Sequence, residues 1–298
     1  MFTITHLLHA TIVLFTLFYT IRSACDCQCD ICDACDFTDP ACTVITSGAP
    51  GEITVAGCLI IDTTEQIGSI RGTSGNDCVR LNPGSVVMGE ISLLPGDDCV
   101  QVTSSTIMGR IQSGGDNDCI VVVSSNVDEV NGGPGNDDVI VVASNTDGAI
   151  EGTFNRIVGG GGDDCLRVAG TEAGEISGQT NDDCLFVTQT IATRILGGND
   201  NDNMDLRQVT FDEASGNEGN DELRINEFTT TSGPLSIRGG PGDDFILAVR
   251  SQGDPTTFDG DGGSDLCCSP DMTVEIAADS MCDPTECDLP GPVCVRRF

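Results

Sequence analysis

The chain has 298 residues, with 47 acidic and 13 basic side chains, a formal charge of −34 and 17 cysteines. Every basic residue is arginine, tryptophan is absent, and the only histidines (His6, His9) and tyrosine (Tyr19) lie near the start. Histidine general-base catalysis and lysine Schiff-base chemistry therefore lack residues, and nucleic-acid phosphates and anionic lipid heads are repelled, so what fits is a cation-binding extracellular protein.

Leu7 to Ile21 is an apolar run followed by Arg22, Ser23 and Ala24. Its length suits the hydrophobic region of a signal peptide and is short for a membrane span. Residues 1–24 are therefore expected to be a cleaved leader, with a retained anchor as the alternative, secretion as the destination and no membrane span after its removal. Residues 25–57 open with the cysteine–aspartate cluster CDCQCDICDAC at 25–35. They are expected to cap the domain through disulfides, the usual state of cysteine in a secreted chain. The C-x-C and C-x-x-C spacings would also suit zinc, but secretion argues against reduced thiolates.

From residue 58 to 268 a repeat dominates. Asn or Asp, then Asp, recurs with the second aspartate at Asp77, Asp98, Asp118, Asp137, Asp164, Asp183, Asp202, Asp221, Asp244 and Asp265. The mean spacing is near 21 residues. Aligned on that aspartate, the columns seven before, two after and four after are almost purely aliphatic; Ile157, Leu166 and Val168 are one set. Apolar at +2 and +4 with a mixed +3 is strand alternation. A short strand cannot bury its inner face alone, whereas stacked copies can. The predicted fold is all-β: a single-stack parallel β-solenoid, with a hairpin-built sandwich or barrel as the competitor. The one 27-residue step predicts a loop bulging at Glu151 to Arg156. Residues 269–298 form a second cysteine-containing cap.

GGPGNDDVI at 132–140, GGGGDDCLR at 159–167 and GGPGDDFIL at 239–247 resemble the nonapeptide of hemolysin-type calcium-binding (RTX) repeats, with degenerate copies elsewhere in residues 68–268. The resemblance implies a β-roll-like solenoid. It also implies that Gly132, Gly133, Gly159, Gly160, Gly239 and Gly240 shape turns whose carbonyls, with the aspartates, hold Ca²⁺. Elementary electrostatics agrees: aspartates stacked ~4.8 Å apart repel by roughly 3.5 kcal/mol at an effective dielectric of 20. A hard cation that takes six to eight oxygens relieves this. The chain departs from the family in carrying one nonapeptide per coil, so one calcium edge is expected, with poorer sites around Asp98, Asp118 and Asp183. Asn and Asp that merely cap tight turns remain the metal-free alternative.

Cys78, Cys99, Cys119, Cys165 and Cys184 follow the repeat aspartate directly, and Cys58 begins a similar strand. Alternation points them outward, within disulfide reach of neighbouring coils. Pairs Cys58–Cys78, Cys99–Cys119 and Cys165–Cys184 are expected. Arg80, Arg167 and Arg224 are expected to pair with surface acids. The functional expectation is a non-enzymatic, secreted calcium-binding repeat protein that meets extracellular matrix, cell-wall polysaccharide or mineral. The alternative is a Ca²⁺-dependent polysaccharide lyase or hydrolase on a β-helix.

Overall fold

The computed structural model describes residues 35–143, 152–231, 235–249, 256–268 and 275–276. The expected leader, most of the N-terminal cysteine cluster and Cys282, Cys287 and Cys294 lie outside the described residues.

The chain winds as a parallel β-solenoid. Each coil contributes one strand to a 12-stranded sheet and one or more to a 14-stranded sheet facing it. The register makes the repeat visible in space. In the 12-stranded sheet Leu59, Val79, Val100, Ile120 and Val139 stand opposite one another from coil to coil, and the column continues through Leu166, Leu185 and Met204. The residues two positions on, from Ile61 and Leu81 to Ile225 and Ala248, form a second inward column. The 14-stranded sheet supplies a third, from Ile70 and Ile91 to Ile195, Ala214 and Ile237. All three are at most 1% exposed and merge into one core. Branched aliphatic side chains dominate these columns, as suits strands, and Phe154, Phe211 and Phe228 join the same core. Parallel pairing begins at Thr43–Ile45, so the first coil starts within the segment assigned to the N-terminal cap.

Three expectations are corrected. Thr153–Gly161 is a strand, paired through Glu129↔Arg156, so the extra residues of the long step fall between Ala143 and Gly152. The aliphatic frame resumes as soon as Phe154 can be buried, which leaves the insertion before it. Cys58 and Cys78 do face each other in register, yet they are not joined. Cys58 bonds Cys42 and Cys78 bonds Cys35, because the N-terminal segment lies against them. Of the three arginines, Arg224 pairs with Glu222, but Arg80 bonds Gln101 and stacks on Phe37, and Arg167 lies over Phe186. The outer face of that sheet has too few acids in register with Arg80 and Arg167.

The outer face of the 14-stranded sheet carries a ladder that the aspartate frame contains eight residues upstream: Glu90, Arg110, Glu129, Arg156, Glu175, Arg194 and Glu213, strictly alternating in sign. Register brings successive members together. Arg156 reaches both Glu129 and Glu175, and Arg194 closes on the other Glu175 oxygen. Alternation removes the like-charge contact that in-register stacking otherwise enforces. The pairs are largely exposed, so each contributes at most about 1 kcal/mol.

Candidate metal centre along the acidic corner

One corner of each coil runs from the 14-stranded to the 12-stranded sheet, and the G-G-x-G-x-D pattern is explained there position by position. Backbone φ is positive four and two residues before the repeat aspartate, as at Gly133 and Gly135, Gly160 and Gly162, and Gly240 and Gly242. Only glycine adopts that region without cost. The residue five before is glycine for a different reason: a Cβ on Gly132, Gly159 or Gly239 would come within 3.0 Å of the aspartate's Oδ2. Degenerate coils tolerate side chains in the left-handed region, such as Gln179 at φ 95°. Gln179→Gly should therefore raise stability by about 1 kcal/mol, or roughly 2–4 °C in thermal midpoint. A melting curve that shifts downward would reject this account of the turn.

The ten repeat aspartates line up on this corner, each at most 5% exposed and pointing into the coil. A continuous ladder results. The amide of Asp77 donates to Oδ1 of Asp98, that of Asp98 to Asp118, and so on through Asp244 to Asp265, at 2.6–3.0 Å. The preceding Asn or Asp forms a second ladder in the opposite direction. The amide of Asp97 donates to Oδ1 of Asn76, and each later coil repeats this down to Ser264 on Asp243, at 2.7–3.3 Å. Each coil is thus tied forward by a buried carboxylate and backward by an exposed amide or carboxylate. That is why the sequence repeats two short polar residues rather than one; the sequence reading assigned no such role to the first.

The inner ladder leaves half of each carboxylate over. Among the described residues ten buried side-chain polar atoms have no hydrogen-bond partner, and nine are Oδ2 of the repeat aspartates from Asp98 to Asp265. The other is the Thr171 hydroxyl. Asp77, at the N-terminal end, differs: its Oδ2 accepts from both the amide and the hydroxyl of Thr73. The opposite corner carries Ser105, Ser125 and Thr190, whose buried hydroxyls donate locally to the carbonyls of Thr103, Val123 and Thr188. Thr171 lies on that opposite corner, so its hydroxyl is the exception there, and the unsatisfied carboxylate oxygens lie on one edge.

Burial shifts these acids upward. The carboxyl of Asp137 or Asp221 is pushed to about 6, Asp98 or Asp244 to about 7, Asp118, Asp183 or Asp202 to about 8 and Asp164 to about 9. Asp265 rises too. The amide on Oδ1 pulls each down, but desolvation outweighs it, and for most the neighbouring aspartates add to the rise. A buried file of this kind needs either protons or a cation.

The donor set fits a hard cation. At Gly132 and Gly197, Oδ2 of the coil's own aspartate and the carbonyl of the next coil (Gly159, Gly216) converge on the space that a Cβ would fill. Two acceptors face each other there with no donor between them. Among the described residues no three acidic, cysteine or histidine side chains meet at one point. Carboxylates would thus supply only part of a coordination shell, with glycine-turn carbonyls and water completing the six to eight oxygens that Ca²⁺ takes. Leu93 and Ser113 replace the glycine in the coils of Asp98 and Asp118; both are buried, and the Ser113 hydroxyl donates to the carbonyl of Gly132 in the next coil. Asp183 retains its glycine, Gly178.

Comparison with protein-family models, curated proteins and solved structures yields no match to this chain.

Proposed function

We propose that this chain is an extracellular, calcium-binding β-solenoid of the RTX-like kind, serving as a structural or adhesive element rather than as a catalyst. The observation that carries the reading is the file of nine buried, partnerless Oδ2 atoms along one edge of a parallel stack. Divalent ions between coils would neutralise them in a way that proton uptake at neutral pH does incompletely. Export is supported by the apolar opening run and by cysteines that are already in disulfides. An acidic, regularly spaced outer corner, with Asp97, Asp163, Asp182 and Asp243 facing outward, suits contact with cation-bridged matrix, wall polysaccharide or mineral.

The test is a calorimetric titration of the oxidised, chelator-stripped protein with Ca²⁺, with Mg²⁺ as control. Several ions should bind per chain, with heat and far-ultraviolet dichroism responding to Ca²⁺ far more than to Mg²⁺. Mg²⁺ demands an octahedral shell that a carbonyl-lined turn does not offer. No uptake of Ca²⁺ at millimolar concentration would remove the proposal and leave an amide-to-carboxylate ladder as the whole purpose of the motif.

A further inference from the structure

The outer face of the 14-stranded sheet holds a groove that the calcium reading does not use. It encloses about 420 Å³, within the range of ligand pockets, and lies upstream of the alternating Glu and Arg ladder. Its floor is apolar: Ile107, Val127, Phe154 and Ala173, inward residues of successive coils. Two rows of exposed side chains flank it. One carries Asn126, Thr153 and Glu172, the other Asp128, Asn155 and Thr193. Each row follows the solenoid axis, through the pairing Thr153↔Glu172, the bond from the Thr153 backbone amide to Asn126 and that from the Asn155 side-chain amide to Asp128. Gly174 interrupts the second row: a Cβ there would lie 2.6 Å from the carbonyl oxygen of Asn155, so no side chain fills that position.

The ionisable residues that line the groove are Asp128 and Glu172, both acidic. The neighbouring arginines are already committed: Arg110 to Glu90, Arg156 to Glu129 and Glu175, and Arg194 to Glu175. The groove thus presents uncompensated negative charge beside a self-paired ladder. Its second row continues into Met108 and Met88, which register places on adjacent coils. They are 60% and 42% exposed, and among the described residues only Val44 is a comparably exposed large apolar side chain. Flexible, polarisable thioethers adapt to varied apolar partners.

We propose that this groove docks an extended peptide segment of a partner protein, with arginine or lysine side chains against Asp128 and Glu172 and an apolar side chain against Met88 and Met108. Charge complementarity selects a cationic occupant, because an anion would meet two carboxylates and no arginine. The methionine pair, beyond the acids, selects a chain that carries apolar as well as cationic side chains. A sugar ring finds no exposed aromatic face to stack on, since Phe154 is buried. From Met88 to Thr193 the column takes five steps of ~4.8 Å, about 24 Å in all, the length of about seven extended residues. A contact of this size belongs to the weak, transient class, so micromolar affinity is expected. The groove is separate from the acidic corner, and docking there does not draw on calcium.

The probe is a capped seven-residue peptide alternating leucine and arginine, titrated into the oxidised full chain at physiological ionic strength, with Ca²⁺ and in chelator. A single saturable site is expected in both. Asp128→Asn with Glu172→Gln should weaken binding about 5–30-fold, as the loss of two exposed ion pairs would. Asp97→Asn with Asp163→Asn removes the same charge from the acidic corner and should change affinity by less than about twofold, because distant charges are screened. Bound peptide should also slow peroxide oxidation of Met88 and Met108 at least about threefold, with buried Met204 as the unreactive reference. Equal weakening by the two double variants, or methionines left unprotected, would mean diffuse attraction to an acidic surface and overturn the proposal. Tighter binding of a neutral cello-oligosaccharide, abolished by the groove variants, would overturn it too and make the groove a glycan site. Peptide binding that persists in a protein taking up no calcium leaves the groove standing while the calcium reading falls.

Discussion

In chelator, the thermal midpoint of the oxidised protein should fall by about 10 °C or more as pH rises from 5 to 9, and Ca²⁺ should abolish most of that fall. The sign follows from the buried aspartates. An unfolded aspartate releases its proton near pH 3.9, whereas in the folded coil release is delayed to about 6 at Asp137 and about 9 at Asp164. Below pH 4 both states are protonated and the ladder contributes its full stability. Above that, the unfolded chain sheds protons that the folded chain must keep, and stability drains away as pH climbs through the folded values. Each unit of difference amounts to about 1.36 kcal/mol per group, and eight groups of the file have folded values placed between about 6 and 9. A ligand bound only by the folded state adds stability by mass action. It acts most where the carboxylates are ionised, so the calcium effect should be small at pH 5 and large at pH 9. Scanning calorimetry over this range decides the matter, and a midpoint that is flat or rises with pH in chelator would sink the argument.

Two substitutions at Asp164 should separate the carboxylate's two tasks. Asp164→Asn keeps an oxygen for the Asp137 amide and turns the partnerless Oδ2 into a donor. It also removes one charge from the file. In chelator at pH 8 this variant should be at least as stable as the native chain, while binding fewer calcium ions. Asp164→Ala strands the buried Asp137 amide and opens a void. Its cost should be about 2–4 kcal/mol, or a midpoint lower by roughly 5–15 °C, with or without calcium. Equal damage from both variants in chelator would mean that the orphaned oxygen is not a liability. Unchanged calcium stoichiometry in the Asn variant would mean that it is not a ligand.

Periodicity carried most of the architecture. Ile157, Leu166 and Val168 and their equivalents recur in one frame, and a frame kept over ten units without a break in direction has only one economical arrangement, a stack of parallel coils. The same alignment held the alternating Glu and Arg column, which goes unnoticed when attention stays on the aspartates. It could not say which oxygen of each aspartate is used. That depends on the coil above, whose amide arrives within 3.0 Å of Oδ1 only once the turn closes. Nor could spacing assign Cys58, because register places it against Cys78 while the partner that reaches its sulfur comes from residue 42.

Composition and repeat, then, were enough to establish an acidic, aliphatic-cored solenoid with one polar corner per turn, since alternation and stacking are local rules applied many times. The burial of each carboxylate, the orphaning of its second oxygen and the choice of sulfur partners emerged only on folding. They are set by contacts between segments 16 to 43 residues apart, whose approach no local pattern encodes.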